Sequence, residues 1–245
     1  MRIELLALAC AALLAGCGKD DNGTLRMVTE PTFPPYEFLR GREVVGIDVE
    51  LCRAIAAKLG RKLEVVSLDF DAVIPSLVSG GPFQIVPALT ITEDRKKNVD
   101  FSVPYERAGL VIVFLKKSPI ETAEACKGKR IGVQGGTTYD EYVVNDLKQE
   151  PERYRSTPEA VLALKAGRCD AVICDHIIGE NCVVGESDLA ISDYITCEDF
   201  AIAIRKGQPE FLAAINETIA ELKANGTLKK WAADFTAEAE RMKEK

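Results

Sequence analysis

Apolar positions along the chain switch between a period of two and a period of three to four, and these switches mark out strands and helices. Residues 24–29, Thr-Leu-Arg-Met-Val-Thr, read as a β-branched strand, and the proline-punctuated loop Glu30-Pro31-Thr32-Phe33-Pro34-Pro35-Tyr36 follows. Residues 44–47 form a second short strand or turn. Over 48–59, Leu51, Ile55 and Leu59 recur on one helical face, with Gly60 as the stop. Residues 62–68 return to strand alternation, 71–78 form a short helix ended by Ser79-Gly80-Gly81, 83–87 form a strand, and Thr90 opens another helix. The unbroken apolar run at 110–115 predicts a strand buried on both faces. A second series follows: a strand at 130–133, helices at 139–147 and 158–166, and strands at 170–174 and 200–204. A helix at 209–224, stopped by Asn225-Gly226, and a last helix from Leu228 close the chain. Such alternation predicts an α/β fold with mostly parallel strands.

The layout divides into two lobes of modest size. The apolar strands near 110–115 and 200–204 are the candidate crossings, which places 24–111 and 201–245 in lobe 1 and 112–200 in lobe 2. Two crossing strands make a hinge, a geometry that lets the lobes close around a ligand.

Ahead of the fold, Arg2 gives a minimal positive start, residues 5–14 a short apolar run, and Leu14-Ala15-Gly16-Cys17 its end. The run is too short to span a bilayer and has the size of a signal-peptide core. Residues 1–16 are therefore expected to be removed and 17–23, with Lys19-Asp20-Asp21-Asn22-Gly23, to be a flexible tether. The small-small-Cys ending resembles a bacterial lipobox, which implies lipidation of Cys17 and a place in the periplasm or on the outer face of the cell membrane. No other segment is apolar enough to cross a membrane.

A net charge of −7 argues against a phosphate-tracking nucleic-acid binder, which presents a basic stripe. A small charged ligand must then be held by local charges. Of eight cysteines, six remain after Cys10 and Cys17, and they lack zinc spacing; His176 is the single histidine. No metal or other cofactor is expected. Export favours disulfides, with Cys182–Cys197 the expected closure and buried thiols acting as small apolar residues the equal alternative. Cys169 and Cys174, five apart on one strand, face opposite sides and do not pair.

Ligands of open α/β sheets sit outside the carboxyl ends of the strands, and three such junctions carry chemistry. Thr90-Ile91-Thr92-Glu93 reads as a capping box with Arg95 in the first turns of its helix, offering free N–H groups and a planar fork for a carboxylate. The plain alternative is a surface ion pair of Arg95 with Glu93 or Asp94. Gly132-Val133-Gln134-Gly135-Gly136-Thr137-Thr138 breaks a strand into a glycine turn, where backbone N–H groups and threonine hydroxyls can approach an anion. It lacks the lysine and glycine pattern of a nucleotide loop, and a plain tight turn is the alternative. Asp175 ends the strand 170–174 and can accept from an ammonium group, or it can simply cap the next segment. Together these junctions supply the two ends of a free α-amino acid.

Ordered motifs now give a resemblance: Gly46-Ile47-Asp48-Val49-Glu50-Leu51, Ile74-Pro75-Ser76-Leu77, Thr90-Ile91-Thr92-Glu93-Asp94-Arg95 and Val99-Asp100-Phe101-Ser102-Val103-Pro104-Tyr105. Gly128-Lys129-Arg130-Ile131-Gly132-Val133-Gln134, Gly136-Thr137-Thr138 and Asn225-Gly226-Thr227 continue it. From Thr24 to about Phe235 the chain resembles the family 3 solute-binding proteins, the polar amino-acid receptors of ABC importers. The resemblance implies a two-lobe, type II periplasmic-binding-protein fold, a free L-amino acid as ligand, an ABC permease as partner, and a monomer. It implies that Arg95 clamps the ligand carboxylate with help from Thr90, Thr137 and Thr138. Asp175 would take the ammonium with the backbone of Ala88, Phe33 and Phe70 would sandwich the side chain, and Glu30 would stand near its tip. Core packing is the plain alternative for both phenylalanines. Two departures stand out: Pro87-Ala88 where the family has Ser-Gly or Ser-Ser, and Tyr139 after the threonines. Glu30 favours a cationic or amide side chain, because a desolvated cleft strengthens its attraction.

Two other classes compete. A few relatives of this family are cyclohexadienyl or arogenate dehydratases, which need a cleft acid with a raised pKa; Glu30, Glu141 and Asp175 are the candidates. His176, beside Asp175 on a strand end, is expected to point away from it, which disfavours a His-dependent nucleophile. A ligand-sensing subunit is the second competitor, and with no transmembrane helix in the fold such a chain cannot signal alone.

Overall fold

The computed structural model describes residues 23–243. Strand β1 (Thr24–Thr29) is followed by a small antiparallel sheet of β2 (Thr32–Phe33), β3 (Glu37–Arg40) and β4 (Glu43–Val45). Helix α1 (Ile47–Lys58), β5 (Lys62–Ser67), α2 (Phe70–Val78), β6 (Ile85–Thr90), α3 (Glu93–Lys96), β7 (Val99–Phe101) and β8 (Glu106–Ala108) complete the first stretch. The second comprises β9 (Leu110–Leu115), β10 (Ile131–Gln134), α4 (Thr138–Asn145), β11 (Glu152–Tyr154), α5 (Thr157–Lys165), β12 (Ala171–Asp175), α6 (His176–Val183) and β13 (Leu189–Ile191). The chain closes with β14 (Glu198–Arg205), α7 (Pro209–Ala224) and α8 (Thr227–Lys243).

Two sheets carry the fold, ordered β5-β1-β6-β14-β7 with β8 also on β14, and β11-β10-β12-β9-β13. Each is parallel on one side, where helices cross over, and antiparallel on the other. Strand β1 runs parallel to β5 and β6, while β14 opposes β6, β7 and β8. Strand β10 runs parallel to β11 and β12, while β9 opposes β12 and β13. The expectation of mostly parallel strands is thus corrected to mixed sheets. The reason is that β9 and β14 enter from the neighbouring sheet rather than from a crossover helix.

These two strands behave as their composition demands. Leu110, Val111, Ile112, Val113 and Phe114 are all buried, centred in the core beneath α4 and α5. Residues 200–204 are buried in the first sheet, with Phe200, Ile202 and Ile204 in the cluster shared with α1 and α7 and Ala203 in the one shared with α2. The chain passes between sheets at Gly109 and returns between β13 and β14. At Gly109 a Cβ would lie 2.2 Å from the Thr196 carbonyl oxygen and 2.6 Å from the Tyr194 ring, so only glycine lets the outgoing and returning segments touch. Gly46 does similar work at φ +137°, where a Cβ would meet the Tyr36 carbonyl oxygen at 2.0 Å. There the 33–36 loop docks on the start of α1 through Ile47 N–H to Pro35 O and Asp48 N–H to Tyr36 O.

The expected Cys182–Cys197 closure is absent: Cys197 is an exposed thiol without a disulfide, and Cys182 packs beside the apolar clusters of both sheets. Cys52, Cys126, Cys169 and Cys174 are buried thiols, acting as small apolar residues. Cys17 and the signal segment lie outside the described residues. Among the described residues no helix is long and apolar enough to cross a membrane, and no cluster of three metal-ligating side chains forms.

Candidate functional site

The carboxyl ends of β1, β6, β10 and β12 face one another across a cleft of about 510 Å³ counting its open mouth. Its walls include every residue expected to touch the ligand, Glu30, Phe33, Phe70, Ala88, Thr90, Arg95, Thr137, Thr138 and Asp175, whereas Glu141, a candidate acid, is not among the lining residues. Sequence reasoning left out Glu37 and Glu198, gave no role to Gln134 and Phe200, and noted Tyr139 only as a residue able to face this way.

Arg95 is 6% exposed and sits in a single-turn helix. The cap of that helix is Thr92, whose hydroxyl accepts from Arg95 N–H at 3.2 Å, and Thr90 is the last residue of β6. The expected helix start at Thr90 is therefore corrected by two residues, because Thr90 still pairs with Phe200 in the sheet. Arg95 Nη1 donates to the Thr90 carbonyl at 3.1 Å, and its guanidinium lies 5.8 Å from the centre of the Phe70 ring. Neighbouring Glu93 and Asp94 pair with Lys96 and Lys97, so the surface ion-pair alternative does not apply. Among the described residues no carboxylate comes within ion-pair distance of this buried guanidinium. Burial lowers its pKa, opposed by the charges of Glu141 and Glu198.

Asp175 is 4% exposed and does two jobs with two oxygens. Oδ1 caps α6 by accepting from Ile177 N–H at 2.9 Å, while Oδ2 is buried without a partner. Burial, reinforced by the charge of Glu198, pushes its pKa up to about 8. His176 Nδ1 is 3.7 Å from Asp175 Oδ1, beyond a hydrogen bond, and the imidazole leans on Tyr194 beside a different groove.

At the glycine turn the structure redirects the expected donors. Gly135 N–H donates to Tyr154 O and Gly136 N–H to Asp140 Oδ2, so neither is free for an anion. The Thr137 hydroxyl donates to the Gln134 carbonyl at 2.7 Å and caps α4 by accepting from Asp140 N–H. Hydroxyls of Thr90 and Thr138 both donate to Glu198 Oε2, at 3.1 and 2.9 Å. What α4 still offers an anion is its first-turn amides, at Thr138 and Tyr139, which precede any intrahelical acceptor.

Ala88 takes φ +50°, the left-handed region, and its N–H donates to Tyr105 Oη at 2.8 Å. The Tyr105 hydroxyl in turn donates to Asp48 at 2.6 Å. An ammonium group needs an acceptor, which on the Ala88 backbone is its carbonyl oxygen. Asp48 and Glu37 are buried and interact; desolvation and the charge of Asp48 push Glu37 well above the usual carboxylate range. Toward the mouth, Glu30 accepts from Gln134 Nε2 at 2.5 Å, and Gln134 Oε1 is fixed by Tyr139 at 3.0 Å. Burial raises the Glu30 pKa, partly offset by that hydrogen bond. Phe33 packs on Tyr36 and edge-on against Phe200, with ring centres 5.1 and 5.7 Å apart, and so is both core and cleft wall.

Two mixed sheets joined by crossing strands, with charged side chains converging from both into one cleft, define a type II cleft receptor of the periplasmic-binding class. The chain belongs to the bacterial extracellular solute-binding proteins, family 3, whose pattern matches residues 25–238. It is similar to the arginine-binding extracellular protein ArtP of Bacillus subtilis, 35% identical over 96% of this chain and 97% of that one. The L-cystine-binding protein TcyJ of Escherichia coli is 32% identical over 88% of this chain and 85% of that one. Among solved structures, an ancestral arginine-binding protein bound to arginine superposes with a TM-score of 0.80 at 40% identity, covering 87% of this chain and 98% of that one.

Proposed function

We propose that this extracytoplasmic receptor captures a free L-amino acid with a polar or cationic side chain and presents it to an ABC permease. One observation carries the reading: among the described residues, a buried guanidinium with no carboxylate at ion-pair distance shares one cleft with a buried carboxyl oxygen that has no donor. A buried unpaired charge is costly, and an α-amino acid satisfies both ends at once. The ligand carboxylate meets Arg95 and the first amides of α4. The ammonium meets Asp175 and the Ala88 carbonyl. Phe33 and Phe70 flank the side chain, and Glu30 stands at its tip. Glu30, at the side-chain end of the cleft, favours a cationic side chain. Relatives named for arginine and cystine support a polar ligand.

Residues 24–111 with 201–245, and 112–200, act as two lobes whose closure the ligand favours and the permease reads. Cys17 anchors the protein to the membrane through lipid, and it works as a monomer. The role is binding rather than catalysis. A dehydratase reading would use Asp175, whose raised pKa leaves it protonated at neutral pH; an absorbance assay with prephenate tests it, and turnover would displace the binding role.

A thermal-shift panel of the twenty protein amino acids and L-cystine tests the function. The largest shift is expected with arginine, lysine, histidine or glutamine. A shift with leucine or cysteine alone would refute the side-chain reading, and no shift at all would refute amino-acid capture. Uptake of the labelled ligand in a deletion strain separates transport from sensing.

A further inference from the structure

Glu198 opens β14, one of the strands adjoining the crossing, and lines the cleft together with Arg95 and Asp175. Its partners come from both sheets: Thr90 ends β6 of the first, and Thr138 starts α4 against the second. A threonine hydroxyl has one proton to donate. While Thr90 and Thr138 both donate to Oε2, neither can donate to a ligand carboxylate. Among the described residues no donor reaches Glu198 Oε1. Asp175 Oδ2, across the same cleft, is also without a donor. The two carboxyl groups are close enough for the charge of Glu198 to raise the Asp175 pKa. Two carboxyl groups lining one cleft, each with an oxygen that no donor of the described residues reaches, suit a cation with several N–H groups.

The geometry points to Glu198 as a second carboxylate for the ligand ammonium, held in place by Thr90 and Thr138, which are positioning residues and not carboxylate ligands. The assignment rests on the amino-acid reading of the cleft. It makes the α-ammonium a stringent requirement, so amino acids are separated from hydroxy acids or keto acids that carry the same side chain and carboxylate. It also accounts for the threonine hydroxyls, which would otherwise have been spent at the wrong end of the ligand.

Calorimetric titration of the wild type and Glu198→Gln tests this, using two ligands. One is the tightest binder among the twenty protein amino acids and L-cystine; the other is the same molecule lacking its α-ammonium. Glutamine keeps the acceptor for both threonines and removes the charge. The amino acid is expected to weaken about 10- to 100-fold, from the loss of a charge-assisted hydrogen bond, and the analogue less than about 3-fold. Should Glu198→Gln melt early, Thr138→Val, which removes one orienting donor, is expected to weaken the amino acid about 3- to 10-fold and to spare the analogue. Equal weakening of both ligands would make Glu198 a strut between the sheets and overturn the assignment, as would unchanged affinity. A wild type that binds no amino acid would overturn the amino-acid reading and this assignment with it.

Discussion

At one end of the cleft Arg95 donates Nη1 to the Thr90 carbonyl at 3.1 Å; at the other, Asp175 Oδ1 accepts from Ile177 N–H at 2.9 Å. Both side chains are buried and both are oriented by one main-chain contact. Burial lowers the arginine and raises the aspartate. The consequences differ because a guanidinium starts far above neutral pH and keeps its proton, whereas a carboxyl lifted to about 8 holds one at neutral pH. One end of the site is thus a permanent charge and the other a titrating one. Equal desolvation produces a fixed clamp at Arg95 and a proton-linked one at Asp175.

The clamp should give the largest effect. Arg95→Ala leaves the ligand carboxylate desolvated and unpaired, and affinity by calorimetry is expected to fall about 1,000-fold, from the roughly 3–5 kcal/mol that breaking a buried pair costs. Retained micromolar affinity would remove Arg95 from the site. Next, Asp175→Asn is expected to weaken binding about 100-fold near pH 8 and progressively less at lower pH. A loss that is the same at every pH would show that Asp175 does not titrate with the ligand.

For the wild type the sign follows from the raised pKa. Below about 8 the free protein holds a proton on Asp175, and the ammonium requires the ionised form, so binding expels that proton. Affinity should rise about tenfold per pH unit and level off near 8, with about one proton released at neutral pH in buffers of different ionisation heat. A flat profile, or proton uptake, contradicts the contrast between the two ends. The smallest effect belongs to the mouth. Glu30→Gln is expected to weaken a cationic ligand by about fivefold and leave glutamine nearly unchanged, since the partly hydrated mouth screens its charge.

How much of this was legible in the chain depended on the length of the signal. Strands β1 and β9 and helix α7 fall on the predicted residues, because each is an uninterrupted run of one periodicity. Most other long elements shift by one or two residues at their ends. Strands β2, β3, β7, β8, β11 and β13 left no usable pattern, being two to four residues long and defined by partners far along the chain. Helix α6 was also missed, because Asp175 reads equally as a strand end or a cap and serves as both.

The candidate site was legible in its residue types and less so in its bonds. Arginine after a strand, a glycine turn and a strand-end aspartate pointed to opposed charges, and the fold gathers all of them. Glu198 carried no local signal, since it precedes an apolar strand like any surface glutamate. Its bond to Thr90 spans 108 residues and its bond to Thr138 spans 60.

By itself the sequence determined where the strands and helices run and which charged groups stand at strand ends, because periodicity and strand-end placement are local properties. Only the tertiary structure decided which donors are spent on distant partners: the Gly135 amide on Tyr154, and the hydroxyls of Thr90 and Thr138 on Glu198. A hydrogen-bond donor has few partners and their positions are set by the packing of distant elements, so its availability cannot be read along the chain.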